Sequence, residues 1–307
     1  MQFYLAPLEG ITTTIFRNAY HEFFRPMDKY FTPFLVPHSK KGFSAKEKRE
    51  ILPENNKGLC LVPQIMSNHA QDCIKTMGKL LDYGYREINL NLGCPSKTVV
   101  SKGRGSGFLA FPEELDRFFD EVFEGMEGTG VRISVKTRIG KDEPGEFTHI
   151  LDIYNRYPLE ELIIHPRVQK DFYKNEPNPE MFAYGLENSR CSVCYNGDIF
   201  NAERYGRMRE RFPEASVCML GRGILKNPAL LDEIHGEGGG AGRLRRFHDR
   251  IYEGYQSLGM GDRNVLFKMK ELWCYLGDSF PGHEKPLKKI RKAQCADRYE
   301  EAVAELI

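Results

Sequence analysis

The chain has 307 residues, 41% apolar and 28% charged, with a formal net charge of +1 and a mean hydropathy of -0.50, which excludes disordered, collagen-like and membrane-embedded classes. No run approaches the roughly 18 consecutive apolar residues of a spanning helix. The opening Met1-Gln2-Phe3-Tyr4-Leu5 lacks the basic start and long apolar stretch of a signal peptide, so a cytoplasmic protein is expected, with its sparse cysteines serving as buried apolar groups or reactive thiols.

In chain order, short apolar or β-branched runs predict strands near 3–6, 29–35, 59–65, 86–91, 131–137, 161–165, 191–196 and 217–220. Between them Thr13 to Phe24, His69 to Tyr83, Pro112 to Phe123, Phe147 to Tyr157, Asn201 to Arg211 and Pro228 to His235 carry helical periodicity. Asn68, Pro112 and Asn227-Pro228 suit helix starts, because they satisfy or tolerate the unpaired amides there. This alternation fits an α/β chain folded as a closed (β/α)8 TIM barrel, but a doubly wound open sheet gives the same period. The G-x-G-x-x-G fingerprint of an open dinucleotide fold is missing from the first turn, which reads Ala6-Pro7-Leu8-Glu9-Gly10.

After Gly236-Glu-Gly-Gly-Gly-Ala-Gly242 the pattern becomes purely helical, over Leu244 to Ser257, Asn264 to Leu276 and Lys285 onward, which predicts a small C-terminal helical bundle. The expected division is a catalytic barrel over 1–235, a linker over 236–242 and a helical domain over 243–307. Charge follows this division: residues 1–242 carry net -2 and residues 243–307 net +3. Helical spacing puts Lys285, Lys288, Lys289 and Lys292 on one arc about 100 degrees wide, with Leu287 and Ile290 turned away. Such a face suits a polyanion, and equally a solvated surface.

Barrel enzymes work at the C-terminal mouth, and polar residues collect where the predicted strands finish. They are Pro7 and Glu9, Gln64, Asn91 with Gly93-Cys94-Pro95, Lys136 and Arg138, His165-Pro166-Arg167, Asn196-Gly197-Asp198, and Gly221-Arg222-Gly223. The last two turns suit a phosphate held by backbone amides and a short helix N-terminus, with Arg222 adding charge, although glycines also make plain tight turns. Cys94, in a loop past a strand whose Asn89 and Asn91 share a face, is positioned to give a proton or act as a nucleophile. Gly103, Gly105 and Gly107 are expected to make the following segment mobile. Cys191 and Cys194 point to opposite faces of a strand and lack a second pair, so they are read as structural, and no metal is expected.

These motifs together carry a resemblance. Ala6-Pro7-Leu8-Glu9-Gly10-Ile11-Thr12, Asn91-Leu92-Gly93-Cys94-Pro95-Ser96 with Gly105-Ser106-Gly107, Val135-Lys136-Thr137-Arg138-Ile139-Gly140, His165-Pro166-Arg167, Asn196-Gly197-Asp198-Ile199 and Gly221-Arg222-Gly223 resemble the tRNA-dihydrouridine synthase family, in its order. The resemblance implies FMN-dependent reduction of the C5=C6 bond of chosen tRNA uridines, with NADPH or NADH as reductant and a monomeric enzyme. It implies that Pro7, Leu8, Gln64, Lys136 and His165 hold the flavin, and that Asn196, Gly197, Asp198, Gly221 and Arg222 hold its phosphate. Asn91 and Arg138 would orient the uracil, Cys94 would be the general acid, and the tail with Lys285, Lys288, Lys289 and Lys292 would meet tRNA. The chain departs from the family at Leu8, where methionine is usual, and at Pro166, where glycine is usual. Two rivals use part of this set: a flavin reductase of a free pyrimidine, similar to dihydroorotate dehydrogenases, and an RNA-binding barrel without redox chemistry.

Overall fold

The computed structural model describes residues 1–37, 42–238 and 242–307; residues 239–241, at the centre of the expected linker, lie outside them. Nine strand segments form one mostly parallel sheet: β1 (Gln2–Leu5), β2 (Lys29–Phe31), β3 (Leu61–Val62), β4 (Gln64–Ile65), β5 (Glu87–Leu92), β6 (Arg132–Arg138), β7 (Glu161–His165), β8 (Ser192–Tyr195) and β9 (Val217–Leu220). Their order is β3-β2-β1-β9-β8-β7-β6-β5-β4. The two outermost segments are halves of one strand broken at Pro63, so the sheet closes on itself as a (β/α)8 barrel. Proline has no N–H to add to the ladder there, while its carbonyl still accepts from Asn89 N at 2.9 Å.

The second strand is shorter than expected, ending at Phe31, because Pro33 cannot donate; only Leu35 returns, as a bridge to Ile65. Two helices of seven or more residues escaped the periodicity. Ala45–Ile51 starts at a capping box, in which Ser44 Oγ accepts from Glu47 N at 3.2 Å and Glu47 Oε2 accepts from Ser44 N at 2.8 Å. Pro179–Asn188 is capped by Asn178, whose Oδ1 takes Met181 N at 3.0 Å. The others, Thr14–Phe23, Ala70–Asp82, Pro112–Gly125, Glu146–Tyr154 and Ala202–Arg211, lie close to their expected ranges.

By its packing the chain divides into two compact units: Met1–Pro7, Asp28–Asp198 and Arg209–Met219 form one, and Leu8–Met27, Ile199–Met208 and Leu220–Ile307 the other. In the second, helix Arg243–Gln256 packs on Thr14–Phe23, with Phe247 edge-on to Phe16 at 5.5 Å and to Phe24 at 5.2 Å. The single helix expected from Lys285 onward is two, Glu284–Lys292 and Ala296–Ala304; Ala293 leaves the helical conformation, and Lys270 Nζ donates to its carbonyl. Among the described residues no helix is long and apolar enough to cross a membrane.

Candidate active site

The barrel interior is lined by polar groups where most barrels carry branched apolar ones. Residues two apart on a strand share a face, so Glu87, Asn89 and Asn91 of β5 form a column, and neighbours meet it in register. Asn91 Nδ2 donates to Gln64 Oε1 at 2.7 Å, Gln64 Nε2 to Asn89 Oδ1 at 2.8 Å, Asn89 Nδ2 to Ser134 Oγ at 3.0 Å and Ser134 Oγ to Glu87 Oε1 at 3.3 Å. At the far end Lys29 Nζ reaches Glu87 at 2.9 Å and Tyr4 Oη donates to Glu161 at 3.1 Å. Networks of this kind fix side-chain positions in a medium where an unmade bond is costly. Gln64 and Asn91 are therefore held rigidly, and both are buried.

At the mouth, the Cys94 loop is tied at every main-chain polar group of Gly93 and Cys94. Asn91 Oδ1 accepts from Gly93 N at 3.1 Å and Cys94 N at 2.9 Å, and Arg138 Nε donates to the Gly93 carbonyl at 3.2 Å. The Cys94 carbonyl accepts from Ser106 N at 3.1 Å and Ser106 Oγ at 2.9 Å. Two of the neighbouring glycines, expected to make this segment mobile, stand where close packing requires them. Gly105 and Gly107 are buried, and a Cβ would sit 2.7 Å from the Cys94 carbonyl oxygen at Gly105 and 2.8 Å from the Val100 backbone at Gly107. These glycines permit close packing, and the half-buried thiol is presented on a braced loop.

Lys136 lies beside Asn91 in the β5–β6 register and is half-buried. Among the described residues no carboxylate lies within ion-pair distance of it. Burial, and secondarily the Arg138 guanidinium, lower its pKa to about 8, which leaves it mostly charged at neutral pH. Arg138 is fully buried, and besides Gly93 it donates through Nη1 to the Val168 carbonyl at 2.7 Å and through Nη2 to the Phe172 carbonyl at 2.6 Å.

Arg167, which the sequence left without a role, organises the end of β7. It is buried, forks onto Asp198 with Nη1–Oδ1 at 3.0 Å and Nη2–Oδ2 at 2.6 Å, and donates to the Asn175 carbonyl at 2.5 Å. Its Nη1 also lies 2.9 Å from His165 Nε2. A guanidinium only donates, so Nε2 is the acceptor and the ring proton sits on Nδ1. Asp198 thus holds Arg167, and Arg167 sets the His165 tautomer.

After β8, Asn196 Nδ2 donates to the Met219 carbonyl at 2.8 Å, and Gly197 lies under the ring of Tyr195, where a Cβ would be 2.1 Å from the hydroxyl. After β9, Gly221 precedes a short helix, Arg222–Lys226, in which a Cβ on Gly223 would meet the Ile199 carbonyl at 2.0 Å. The Arg222 guanidinium lies 5.3 Å from the Phe200 ring. Pro7 and Leu8 follow β1, and Leu8 N donates to Thr12 Oγ1 at 2.7 Å, while the Leu8 carbonyl takes Ile11 N and Thr12 N at 3.1 Å.

A sequence model of the family described as Dihydrouridine synthase (Dus) matches residues 4–240. The chain belongs to the dihydrouridine synthase family. It is 30% identical over 240 residues to a probable tRNA-dihydrouridine synthase of Staphylococcus aureus (strain COL), covering 75% of this chain and 70% of that one. It is 27% identical to probable tRNA-dihydrouridine synthase 2 of Bacillus subtilis (strain 168), covering 75% and 71%. Among solved structures it is similar in fold to morphinone reductase in complex with tetrahydroNAD, with a TM-score of 0.54 at 12% identity over 80% of this chain and 90% of that one. Membership of the dihydrouridine synthase family carries the coarse chemistry with it: an oxidoreductase working by flavin-dependent reduction.

For a member of the dihydrouridine synthase family, the tail lysines are the remaining predicted residues. Lys285, Lys288, Lys289 and Lys292 are exposed and line one groove of about 540 Å³ with Arg298, Glu301 and Glu305, while Ile290 is buried. Lys289 is paired with Glu305 at 2.5 Å. Two residues of the mouth were missed by sequence reasoning. Ser106 was visible only as the middle of Gly105-Ser106-Gly107, and Tyr173 lies in Gln169 to Pro179, a stretch of the sequence to which no role could be assigned.

Proposed function

We propose that this chain reduces the C5=C6 bond of specific uridines in tRNA to give 5,6-dihydrouridine, with FMN as cofactor and NADPH or NADH as reductant. The observation that carries this reading is the pairing of a braced Cys94 with Lys136, a half-buried cation that has no carboxylate within ion-pair distance among the described residues. A cation held in that way fits an anionic group, and the electron-rich pyrimidine edge of a reduced flavin is such a group. When bound, reduced FMN would supply the hydride that adds to uracil C6.

The chain's own residues supply the rest. Hydride addition at C6 leaves an electron pair shared between C5 and the C4 carbonyl, so C5 must gain a proton. Cys94 is the donor in this reading: its S–H bond breaks, a C5–H bond forms, and the thiolate is reprotonated from solvent. Asn91 and Arg138 are assigned to orienting the uracil, and their bonds to Gly93 and Cys94 also fix where the thiol points. His165, with its proton on Nδ1, and Gln64 are assigned to the flavin, as are the main chain at Pro7 and Leu8. Asn196, Gly197 and Asp198, and likewise Gly221 and Arg222, keep the phosphate role implied by the family pattern. Asp198 is already forked onto Arg167, so its part there is to hold the turn.

The barrel, residues 1–235, is read as the catalytic part, and 243–307 as the tRNA-binding part of a monomer, through Lys285, Lys288, Lys289 and Lys292. Mapping dihydrouridine in tRNA from cells with and without the gene tests the substrate. Cys94→Ala tests the mechanism, because it should bind flavin and accept electrons from a nicotinamide donor yet form dihydrouridine roughly 100 to 10,000-fold more slowly. Parental turnover in Cys94→Ala would reject Cys94 as the acid. Full activity on free pyrimidines with none on tRNA would reject the substrate.

A further inference from the structure

The segment after His165 carries a feature that this reading leaves unused. Phe172 has φ 50 and ψ -97, and is the only non-glycine residue with positive φ among those described. Such a backbone is strained and persists where its surroundings impose it. Here they are two buried arginines. Arg138 donates to the carbonyls of Val168 and Phe172, and Arg167 to that of Asn175. The fold thereby holds the next side chain, Tyr173, on the rim with 48% of its surface exposed. Its ring lies 5.9 Å from the His165 imidazole at an interplanar angle of 30°, and 5.4 Å from the Arg138 guanidinium. A large aromatic ring kept half in solvent beside His165 and Arg138 is placed to receive a flat partner from outside.

We propose that Tyr173 is a stacking platform for a nucleobase of the RNA substrate, the nucleotide flanking the uridine that enters the mouth. The inference rests on the reading of the chain as a tRNA reductase. The flanking base is the better occupant because the target must pass beyond the rim to reach Cys94, while Tyr173 stays half in solvent. Any base has a π face, so the platform strengthens RNA binding without choosing a sequence. A stacked neighbour also helps hold the strand open once the target has left its own stack.

The test uses the flavin-loaded enzyme and unmodified tRNA transcripts, each bearing 2-aminopurine beside one of the loop uridines in turn. Binding should quench the probe with the parent and with Tyr173→Phe, and should not do so with Tyr173→Ala or Tyr173→Leu. The Michaelis constant for tRNA should rise roughly 10 to 100-fold in the last two, the range that loss of one base–aromatic stack gives. Flavin content reports whether each variant is folded. Parental quenching and Michaelis constant in Tyr173→Ala would overturn the proposal. So would retention of tRNA affinity in Tyr173→Leu, which would make the ring a packing element, or a defect confined to the nicotinamide dinucleotide. The quench reads the platform without turnover: a parent enzyme that binds and quenches but forms no dihydrouridine would reject the reductase reading and leave the platform standing.

Discussion

Replacing Glu161 by glutamine should stabilise the protein above neutral pH and destabilise it by about 1 kcal/mol in acid. Glu161 stands at the N-terminal end of the barrel interior, 4% exposed; its Oε1 accepts from Tyr4, and its Oε2, 4.0 Å from Lys29 Nζ, has no hydrogen-bond partner among the described residues. Burial, reinforced by Glu87 and Glu160 and only partly offset by Lys29 and the Tyr4 hydroxyl, raises its pKa from 4.5 to about 7. The folded state therefore holds this proton more tightly than the unfolded chain does. The stability it contributes is complete below about pH 4.5 and is lost as pH rises through about 7. Raising the pKa from 4.5 to about 7 corresponds to about 3 kcal/mol between those limits. Glutamine keeps an acceptor for Tyr4 and removes the charge, but its amide takes the place of an oxygen without a partner, which costs about 1 kcal/mol. The expected gain at pH 8 is about 2 kcal/mol. Urea unfolding of parent and variant at pH 4.5 and 8 measures it, followed by far-UV circular dichroism because the single tryptophan, Trp273, lies in the tail helix Asp262–Leu276. Equal stability of parent and Glu161→Gln at both pH values would show that Glu161 is ionised at little cost, and the argument would fail.

Gly105→Ala should cost roughly 1 to 2 kcal/mol for its left-handed backbone, at φ +55, and force the Cβ against the Cys94 carbonyl at 2.7 Å. A displaced Cys94 should slow dihydrouridine formation roughly 100-fold while flavin stays bound, and parental turnover would show that the loop tolerates the shift. Lys136→Met should lower flavin content or slow its reoxidation; unchanged occupancy with full turnover would remove Lys136 from the site. The fourfold Lys→Gln change at 285, 288, 289 and 292 should raise the Michaelis constant for tRNA. It should also reduce the slope of log affinity against log salt by roughly 0.7 to 0.9 for each phosphate that is no longer neutralised. Equal slopes in parent and variant would make that groove a solvated face.

The alternation of strands and helices was legible in the amino-acid order, because burial on a sheet or a helix imposes a period that apolar residues must follow whatever their neighbours are. So were the residues that reach the mouth, since these lie where each strand stops. The choice between closed and open sheets was not, because both obey the same period; closure rests on which edges meet, and Pro63 joins them. The helices at Ala45–Ile51 and Pro179–Asn188 were legible only in their caps, as they are short and weakly patterned. What the mouth residues touch was settled by the folded barrel alone. Gly105 read as freedom and proved to be clearance for the Cys94 carbonyl, which the neighbouring Ser106 also holds. Arg167 had no legible role beside an unusual proline and proved to be the donor that fixes His165. Hydrogen bonds between distant strands depend on directions that the chain acquires when the barrel closes, and no local spacing encodes them.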